Sequence, residues 1–232
     1  MATVAPPMVR LPTYHPDDAL LFDYATGRTS EAESLVIAAH ATLCPRCRNR
    51  IAEFEAVGGA LVEDIAPVAM ADTAFAAVLS QIDAEPASAL GPVSTLSALE
   101  QRSIRPGSAV LPRPILNYLD NPETLTWKSV VRGLEEIALP IAGATVKLLR
   151  IKAGVAMPQH THSGNEMTMV LAGAFRDETG HYRRGDVAAN DHDVDHRPVA
   201  DAGEDCICLV VTDAPLRLTG PIGRLLNPFV KF

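Results

Sequence analysis

Residues 154–166, GVAMPQHTHSGNE, hold three potential metal ligands within seven residues: His160, His162 and Glu166. Side chains two residues apart on a strand point to the same side, so His160 and His162 share one face. The intervening serine-glycine turn then lets Glu166 return to the same point. Imidazole and carboxylate ligands together suit zinc, iron, manganese, nickel or copper, so the stretch predicts a divalent-metal site without selecting the ion.

The chain around this stretch consists of short alternating apolar runs separated by turn residues, which is typical of β-strands. Residues 178–180, Glu-Thr-Gly, are a hairpin-type turn signal. Strands are predicted at 145–151, 166–171, 174–177, 186–189 and 207–212. Many short strands at close spacing indicate a β-barrel or a double-sheet jelly roll.

A second group of residues downstream completes a recognisable pattern. Gly185 and Asp186 are followed by Asp191 and His196, and together with residues 154–173 they resemble the two-part cupin signature. The resemblance implies a double-stranded β-barrel with a metal held inside it. It also adds a fourth ligand to the predicted site, which then comprises His160, His162, Glu166 and His196.

The remaining histidines and cysteines of this half are weaker candidates for the metal site. His181 and His192 are expected in loops, with His192 kept as a substitute ligand. Cys206 and Cys208 alternate on a predicted strand, so both thiols face one side. They are either an oxidation-sensitive pair or two small buried residues, and the second interpretation is favoured. A disulfide between such close neighbours on one strand would be strained.

The first part of the chain has a different periodicity. From residue 16 to 63 apolar residues recur at helical spacing, and Ser30 followed by Glu33 is a capping-box start. The glycine pair at 58–59 lies where a helix is expected to end or be interrupted. A further amphipathic helix is predicted at 71–82. This part is therefore expected to be a small all-helical module.

The second cluster of potential ligands lies in the run HATLCPRC, residues 40–47. His40 and Cys44 are one helical turn apart and can point to one side, and Cys47 follows across a proline that suits the start of a new helix. Two thiolates and an imidazole suit zinc, and His15 is the candidate fourth ligand. A redox pair and two buried cysteines are the alternatives, but the βαβ pattern of thioredoxin-like pairs is absent.

This layout resembles the zinc-binding anti-sigma domain that binds extracytoplasmic-function (ECF) sigma factors. In that family the helices wrap the sigma factor and cover the surfaces with which it engages RNA polymerase. The resemblance implies that the helix at 71–82 contributes to this clamp. It also implies that the zinc ligands are His15, His40, Cys44 and Cys47.

A zinc anti-sigma module followed by a cupin resembles the ChrR-type anti-sigma factors, over about residues 14–229. Members hold a sigma factor inactive and release it when singlet oxygen or related reactive species appear, and the cupin is needed for that response. The resemblance implies a regulator of transcription in oxidative stress, not an enzyme, with zinc in the helical module. In the cupin it implies a divalent metal, with zinc expected ahead of iron or manganese.

The alternative function is a cupin metalloenzyme, dioxygenase- or hydrolase-like, that carries a zinc-stapled helical interaction module. Three histidines and a glutamate around one metal are compatible with catalysis if one coordination position stays open.

Composition supports a chain of two parts. The sequence predicts an α+β protein with a helical domain at 14–85, a proline- and serine-rich linker at 86–108 and a cupin domain at 109–228. The net charge of −8 lies entirely before residue 101, where five residues are basic and thirteen acidic, whereas the remainder has fifteen of each. Phosphate repels an acidic unit, so we expect a basic protein or a cation as partner and no direct contact with nucleic acid.

The sequence also bears on the cellular compartment. Charges or prolines interrupt every apolar stretch before it reaches the roughly 18 residues that a membrane-spanning helix needs. The N-terminal residues lack the layout of a secretory signal. We therefore expect a cytoplasmic protein, in which the four cysteines act as ligands, redox sensors or core residues rather than as structural disulfides.

Overall fold

The computed structural model describes residues 10–84, 111–122 and 124–220 of the 232-residue chain. Contacts group the described residues into two compact units. One contains the residues up to Ala56 together with those from 111 onward, and the other begins at Val57. The linker predicted at 86–108 lies outside the described residues.

The helices within residues 16–84 form where the apolar periodicity predicts them, whereas the short helix Arg113–Leu116 was not predicted. α2 begins with the predicted capping box, because the Ser30 hydroxyl accepts the Glu33 N–H and the Glu33 carboxylate accepts the Ser30 N–H. Gly58 and Gly59 do not end a helix as expected, since α3 continues through both, at a cost of about 1 kcal/mol for each glycine. The bounds are α1 (Asp18–Ala25), α2 (Glu31–Leu43), α3 (Pro45–Glu63), α4 (Ala74–Ala84) and α5 (Arg113–Leu116).

The strands form a two-layered barrel. A six-stranded antiparallel sheet has the order β1-β2-β3-β10-β5-β8, and smaller sheets have the orders β7-β6-β9 and β11-β4. Residues of all three sheets line one interior cavity. The strand bounds are β1 (Lys128–Val131), β2 (Leu134–Ala138), β3 (Thr145–Ile151), β4 (His160–His162), β5 (Glu166–Ala172), β6 (Ala174–Arg176), β7 (His181–Arg183), β8 (Val187–Asn190), β9 (Val199–Ala200), β10 (Cys206–Thr212) and β11 (Leu216–Leu218).

Six of the seven residues of strand β5 are buried, so the strand is covered on both of its faces. Glu166 and Thr168 face the interior cavity. Side chains of the opposite face belong to the core that the sheet shares with α2, namely Met167, Met169 and Leu171. Each large apolar side chain buried there contributes about 1.5–3 kcal/mol.

Helix α2 is part of the same core as the barrel. Its apolar face supplies Ala32, Leu35, Val36 and Ala39, all buried against the six-stranded sheet. The division predicted from the sequence separates a helical domain at 14–85 from a barrel domain at 109–228. The contacts instead place α1, α2 and the first part of α3 with the barrel, because α2 buries its apolar face on the sheet.

Within residues 10–84, 111–122 and 124–220, no helix has the length and apolar content needed to cross a membrane.

Candidate metal centres

The four ligand residues predicted in the helical module converge on one point. We call His15, His40, Cys44 and Cys47 the N-terminal cluster, since one ligand atom from each lies within 4.8 Å of the others. The Nδ1 atom of His15 is 3.4 Å from His40 Nε2, 3.4 Å from Cys44 Sγ and 3.5 Å from Cys47 Sγ. A tetrahedron with zinc bond lengths has edges of about 3.3 to 3.8 Å, so the donors fit a zinc ion.

Local structure explains how the N-terminal cluster forms. His40 lies in the last turn of α2 and Cys44 is the C-cap residue of that helix. Pro45 opens α3, as predicted, and places Cys47 in its first turn, where the Cys47 N–H donates to Cys44 Sγ over 3.5 Å. His15 comes from the segment before α1. Three ligands are thus fixed by one helix junction, and the fourth depends on where the preceding segment is held.

Burial determines the protonation of the N-terminal cluster. It lowers the pKa of His40 to about 4, and it lowers the pKa of His15 together with the nearby Arg46 charge. Both imidazoles are therefore neutral near pH 7 and can donate a lone pair. Burial, aided by Cys44, raises the pKa of the Cys47 thiol to about 12, so a bound cation is what favours its thiolate.

A second cluster lies inside the barrel. We call His160, His162 and His196 the barrel cluster; all three side chains are buried. His196 Nε2 is 3.1 Å from His162 Nε2 and 3.2 Å from His160 Nε2. His160 and His162 are the ends of β4, and reciprocal backbone hydrogen bonds of 3.0 Å hold His196 beside His160.

The outer contacts of the barrel cluster favour a cation at its centre. His160 Nδ1 donates to the Pro158 carbonyl at 2.8 Å, and His196 Nδ1 donates to Asp177 Oδ2 at 2.7 Å. In the tautomer that each Nδ1 hydrogen bond selects, the Nε2 atom carries a lone pair, and the two Nε2 atoms lie 3.2 Å apart. Such an arrangement is repulsive by itself and becomes attractive around a metal ion.

Glu166, the remaining predicted ligand of the barrel, lies beside the barrel cluster rather than within it. Its Oε2 is 3.7 Å from His162 Nδ1, and its Oε1 accepts the Thr168 hydroxyl at 3.2 Å. Burial raises the pKa of the Glu166 carboxyl and lowers the pKa of His162 to about 4. The structure therefore brings three of the four predicted ligands together, and His162 Nδ1 is buried with no hydrogen-bond partner among the described residues.

The cavity inside the barrel reaches this site. It has a volume of about 360 Å³, and His160, Glu166 and His196 lie on its wall. Most of the remaining wall is apolar and includes Leu134, Leu149, Ile151, Val155, Phe175 and Leu218. Mainly apolar walls favour entry of small uncharged molecules over ions.

None of the weaker candidates belongs to the barrel cluster, although Cys208 lines the same cavity. The His181 ring pairs with Asp201 at 2.8 Å, and the His192 side chain is exposed. Cys206 and Cys208 are free and buried, with their sulfur atoms 3.5 Å apart. Their mutual contact and their burial raise the pKa of Cys208, which keeps that thiol protonated.

Exposed apolar side chains from α3 through α4 form a further feature outside the predicted ligands. The region Val57–Ala84 exposes ten large apolar side chains, and α4 has no buried residue. We call these residues the exposed apolar set: Val57, Leu61, Val62, Ile65, Val68, Met70, Phe75, Val78, Leu79 and Ile82. A region that exposes this many large apolar side chains is typical of a site that another molecule covers. The amphipathic pattern at 71–82 was its signal in the sequence.

Known proteins share both the barrel and the helical module. Residues 118–215 match the family described as the ChrR cupin-like domain. The anti-sigma-E factor ChrR of Cereibacter sphaeroides is 41% identical over 223 residues, which cover 94% of this chain and 98% of that protein. The crystal structure of Rhodobacter sphaeroides SigE in complex with the anti-sigma ChrR matches with a TM-score of 0.70 and 39% identity, over 87% of this chain and 99% of that chain.

These likenesses define the class of protein: a cupin-containing regulator rather than an enzyme. The chain belongs to the ChrR family of anti-sigma factors. The resemblance seen in the sequence and the α+β architecture with a cupin barrel are thereby confirmed. The identity of each metal ion and of each ligand stays a prediction.

Proposed function

We propose that this protein holds an ECF sigma factor inactive in the cytoplasm and releases it under oxidative stress such as singlet oxygen. The observation that carries the proposal is the exposed apolar set on Val57–Ala84. A related ChrR was solved in complex with SigE, so the occupant that we assign to this surface is a sigma factor. Buried free cysteines suit the reducing cytoplasm.

The charge of the same region fits this occupant. Residues 57–84 contain four acidic residues, Glu63, Asp64, Asp72 and Asp83, and no basic residue. Sigma factors are basic where they bind DNA and polymerase, so an acidic apolar surface complements them and competes with those ligands. Burial of the apolar side chains supplies most of the affinity, and the charges direct the encounter.

In this proposal the two clusters hold metal. Zinc bound by His15, His40, Cys44 and Cys47 cross-links the segment before α1 to the junction of α2 and α3. A divalent ion in the barrel, which we take to be zinc, is bound by a second set of ligands. That set comprises His160, His162, Glu166 and His196, with Glu166 moving in from its position beside His162.

We assign sensing to the barrel. Its apolar cavity gives a small uncharged oxidant access to imidazole ligands that bulk solvent does not reach. Oxidation of a ligand weakens the metal site. A change of a few kcal/mol in the free-energy difference between the bound and released states is then enough to change greatly the fraction of sigma factor that is bound.

The sigma assignment is tested with the full chain and the ECF sigma factor encoded beside its gene. The double variant Leu79→Asp, Ile82→Asp places two carboxylates in the exposed apolar set, and we expect about a 100-fold loss of affinity by calorimetry. Val131→Asp is the matched control, because Val131 on β1 is as exposed as Ile82. Unchanged affinity in the double variant, or an equal loss in the control, would contradict the proposal.

The sensing assignment has its own test. The sigma complex is illuminated with a dye that generates singlet oxygen, and free sigma factor is measured by gel filtration. We expect release on illumination from the wild type and from His192→Ala, which removes an exposed histidine outside the cluster. Because deleting a ligand imitates its oxidation, we expect His196→Ala to hold less sigma factor than the wild type in the dark and to respond little to light. If His196→Ala holds its partner in the dark and releases it in the light as the wild type does, the barrel is not the sensor.

A further inference from the structure

The turn between β7 and β8 contacts the N-terminal cluster directly. His40 Nδ1 donates to the carbonyl oxygen of Gly185 at 2.7 Å, and His40 is fully buried. The carbonyl belongs to the barrel, whereas His40 belongs to α2. Because this bond occupies Nδ1, it leaves the Nε2 lone pair of His40 facing the other donors. The barrel therefore orients one ligand of the other site.

The next residue of this turn holds the segment that carries His15. Asp186 is 1% exposed, and its Oδ1 accepts the N–H groups of Thr13 at 2.5 Å and Tyr14 at 3.1 Å. The Val187 N–H donates to the Tyr14 carbonyl at 3.1 Å. A buried carboxylate with several N–H donors is well satisfied, so the segment is firmly held. Two neighbouring barrel residues thus position both histidines of the N-terminal cluster.

Close approach of the segment requires glycine in this turn. Gly185 has φ +91°, a conformation that favours glycine. A Cβ atom there would lie 2.7 Å from Pro12 Cγ, which is closer than van der Waals contact allows. The contact between the turn and the segment before α1 is therefore built into the backbone.

A continuous set of contacts leads from the segment before α1, which carries His15, to the barrel cluster. His196 Nδ1 donates to Asp177 Oδ2 at 2.7 Å, and the Thr179 hydroxyl donates to Asp177 Oδ1 at 2.6 Å. Since Thr179 uses its proton on the carboxylate, it accepts the Tyr182 hydroxyl, 2.9 Å away. The Tyr182 ring contacts the Tyr14 ring, with centroids 4.5 Å apart. Tyr14 immediately precedes a ligand of the N-terminal cluster.

We propose that Asp177, Thr179 and Tyr182 are positioning residues that couple the two clusters. When the barrel cluster is filled, His196 fixes Asp177, and through Thr179 and Tyr182 it fixes Tyr14 and the segment bearing His15. The metal affinity of the N-terminal cluster consequently depends on whether the barrel cluster is filled, and the dependence is reciprocal. This inference rests on the metal sites of the proposed function but not on the sigma factor.

Cobalt(II) distinguishes the two clusters in the full chain. Of the two clusters, only the N-terminal one contains thiols. Because Cys208 lines the barrel cavity, every measurement uses the Cys208→Ser background, in which the thiolate-to-cobalt absorption band reports the N-terminal cluster. We expect the cobalt affinity of the N-terminal cluster to fall at least about fivefold when His162→Ala disables the barrel cluster. His162 does not lie on the path of contacts, so the variant removes metal without cutting the path.

Variants of the path test the positioning role. Tyr182→Phe removes the hydroxyl but keeps the ring, and in its background we expect filling of the barrel cluster to change cobalt affinity by less than about twofold. Thr179→Val removes the central hydroxyl at similar volume and serves if Tyr182→Phe folds poorly. Tyr118→Phe is the matched control, since it removes a tyrosine hydroxyl bonded to Glu31 outside the path.

The outcomes separate this inference from the proposed function. Failure of either cluster to bind metal overturns the metal sites themselves. If both clusters bind metal but the cobalt affinity of the N-terminal cluster is the same whether or not the barrel cluster is filled, the coupling alone is overturned. Coupling that persists unchanged in both Tyr182→Phe and Thr179→Val overturns the path, and coupling that disappears equally in Tyr118→Phe does so as well.

Discussion

Two parts of the helical region use the same kind of sequence in opposite ways. Helix α2 buries four apolar side chains in the core of the barrel, and Val36 is 0% exposed. Helix α4 has equally regular apolar spacing but buries no residue, and Phe75 is 74% exposed. The pattern of a helix thus identifies its apolar face, but it does not identify what covers that face. In α2 the cover is the protein's own sheet, and in α4 we assign it to the partner.

The largest effect is expected from a charge in the α2 core. Val36→Asp places a carboxylate among apolar side chains without a partner, a change that costs several kcal/mol and approaches the whole stability of a domain. We expect little folded protein, measured by expression yield and circular dichroism. Val78→Asp in α4 is the control and is expected to fold normally. A stable Val36→Asp protein would mean that α2 is not part of the barrel core.

Removal of metal is expected to destabilise a smaller region of the protein than Val36→Asp does. After chelation, the segment that bears His15 and the following helix α1 lose their metal link to the junction of α2 and α3. The amide hydrogens of α1 and of the start of α3 should therefore exchange at least about 100-fold faster. α2 keeps its contacts with the sheet, and α4 contains no ligand, so both should change little. Hydrogen exchange with mass spectrometry measures this, and the same loss of protection across all four helices would remove the distinction between α2 and its neighbours.

A matched pair of leucines sharpens the contrast further. Leu35→Ala leaves a cavity in the shared core and is expected to lower the free energy of unfolding by about 2–5 kcal/mol. Leu79→Ala in α4 is expected to change it by less than about 0.5 kcal/mol. Urea denaturation measures both values, and similar losses at the two positions would show that α4 is packed in the free protein.

The smallest effect concerns charge. Because residues 57–84 carry acidic side chains and no basic ones, raising the salt concentration from about 0.1 to 0.5 M should weaken sigma binding severalfold. Calorimetry at both salt concentrations measures the change. If affinity is independent of salt, the acidic residues serve solubility alone.

Much of the barrel could be predicted from the sequence, because its signals are local. The five strands expected from alternating runs all correspond to observed strands, and the bounds of β3 match those predicted, 145–151. Strands such as β6 and β7 have only three residues, too few to show a period of two. β7 was therefore missed, and β6 was found only beside a strong turn signal.

The ligand clusters were predictable for the same reason. His40, Cys44 and Cys47 lie within eight residues, and His160 and His162 lie on one short strand. The outer contacts were not predictable, because the bond between His40 and Gly185 joins residues 145 positions apart. Glu166 was predicted as a metal ligand; in the structure it lies beside His162 and accepts a hydrogen bond from Thr168, a placement that the local sequence does not indicate.

The two buried faces of β5 constrain how this protein can change during evolution. Inserting or deleting one residue in β5 would exchange its faces, bringing Glu166 and Thr168 against α2 and two methionines into the cavity. Such a change would damage the core and the barrel site together. The exposed residues of α4 carry no comparable constraint, so a duplicated gene could adapt to a new partner there while its barrel stayed the same.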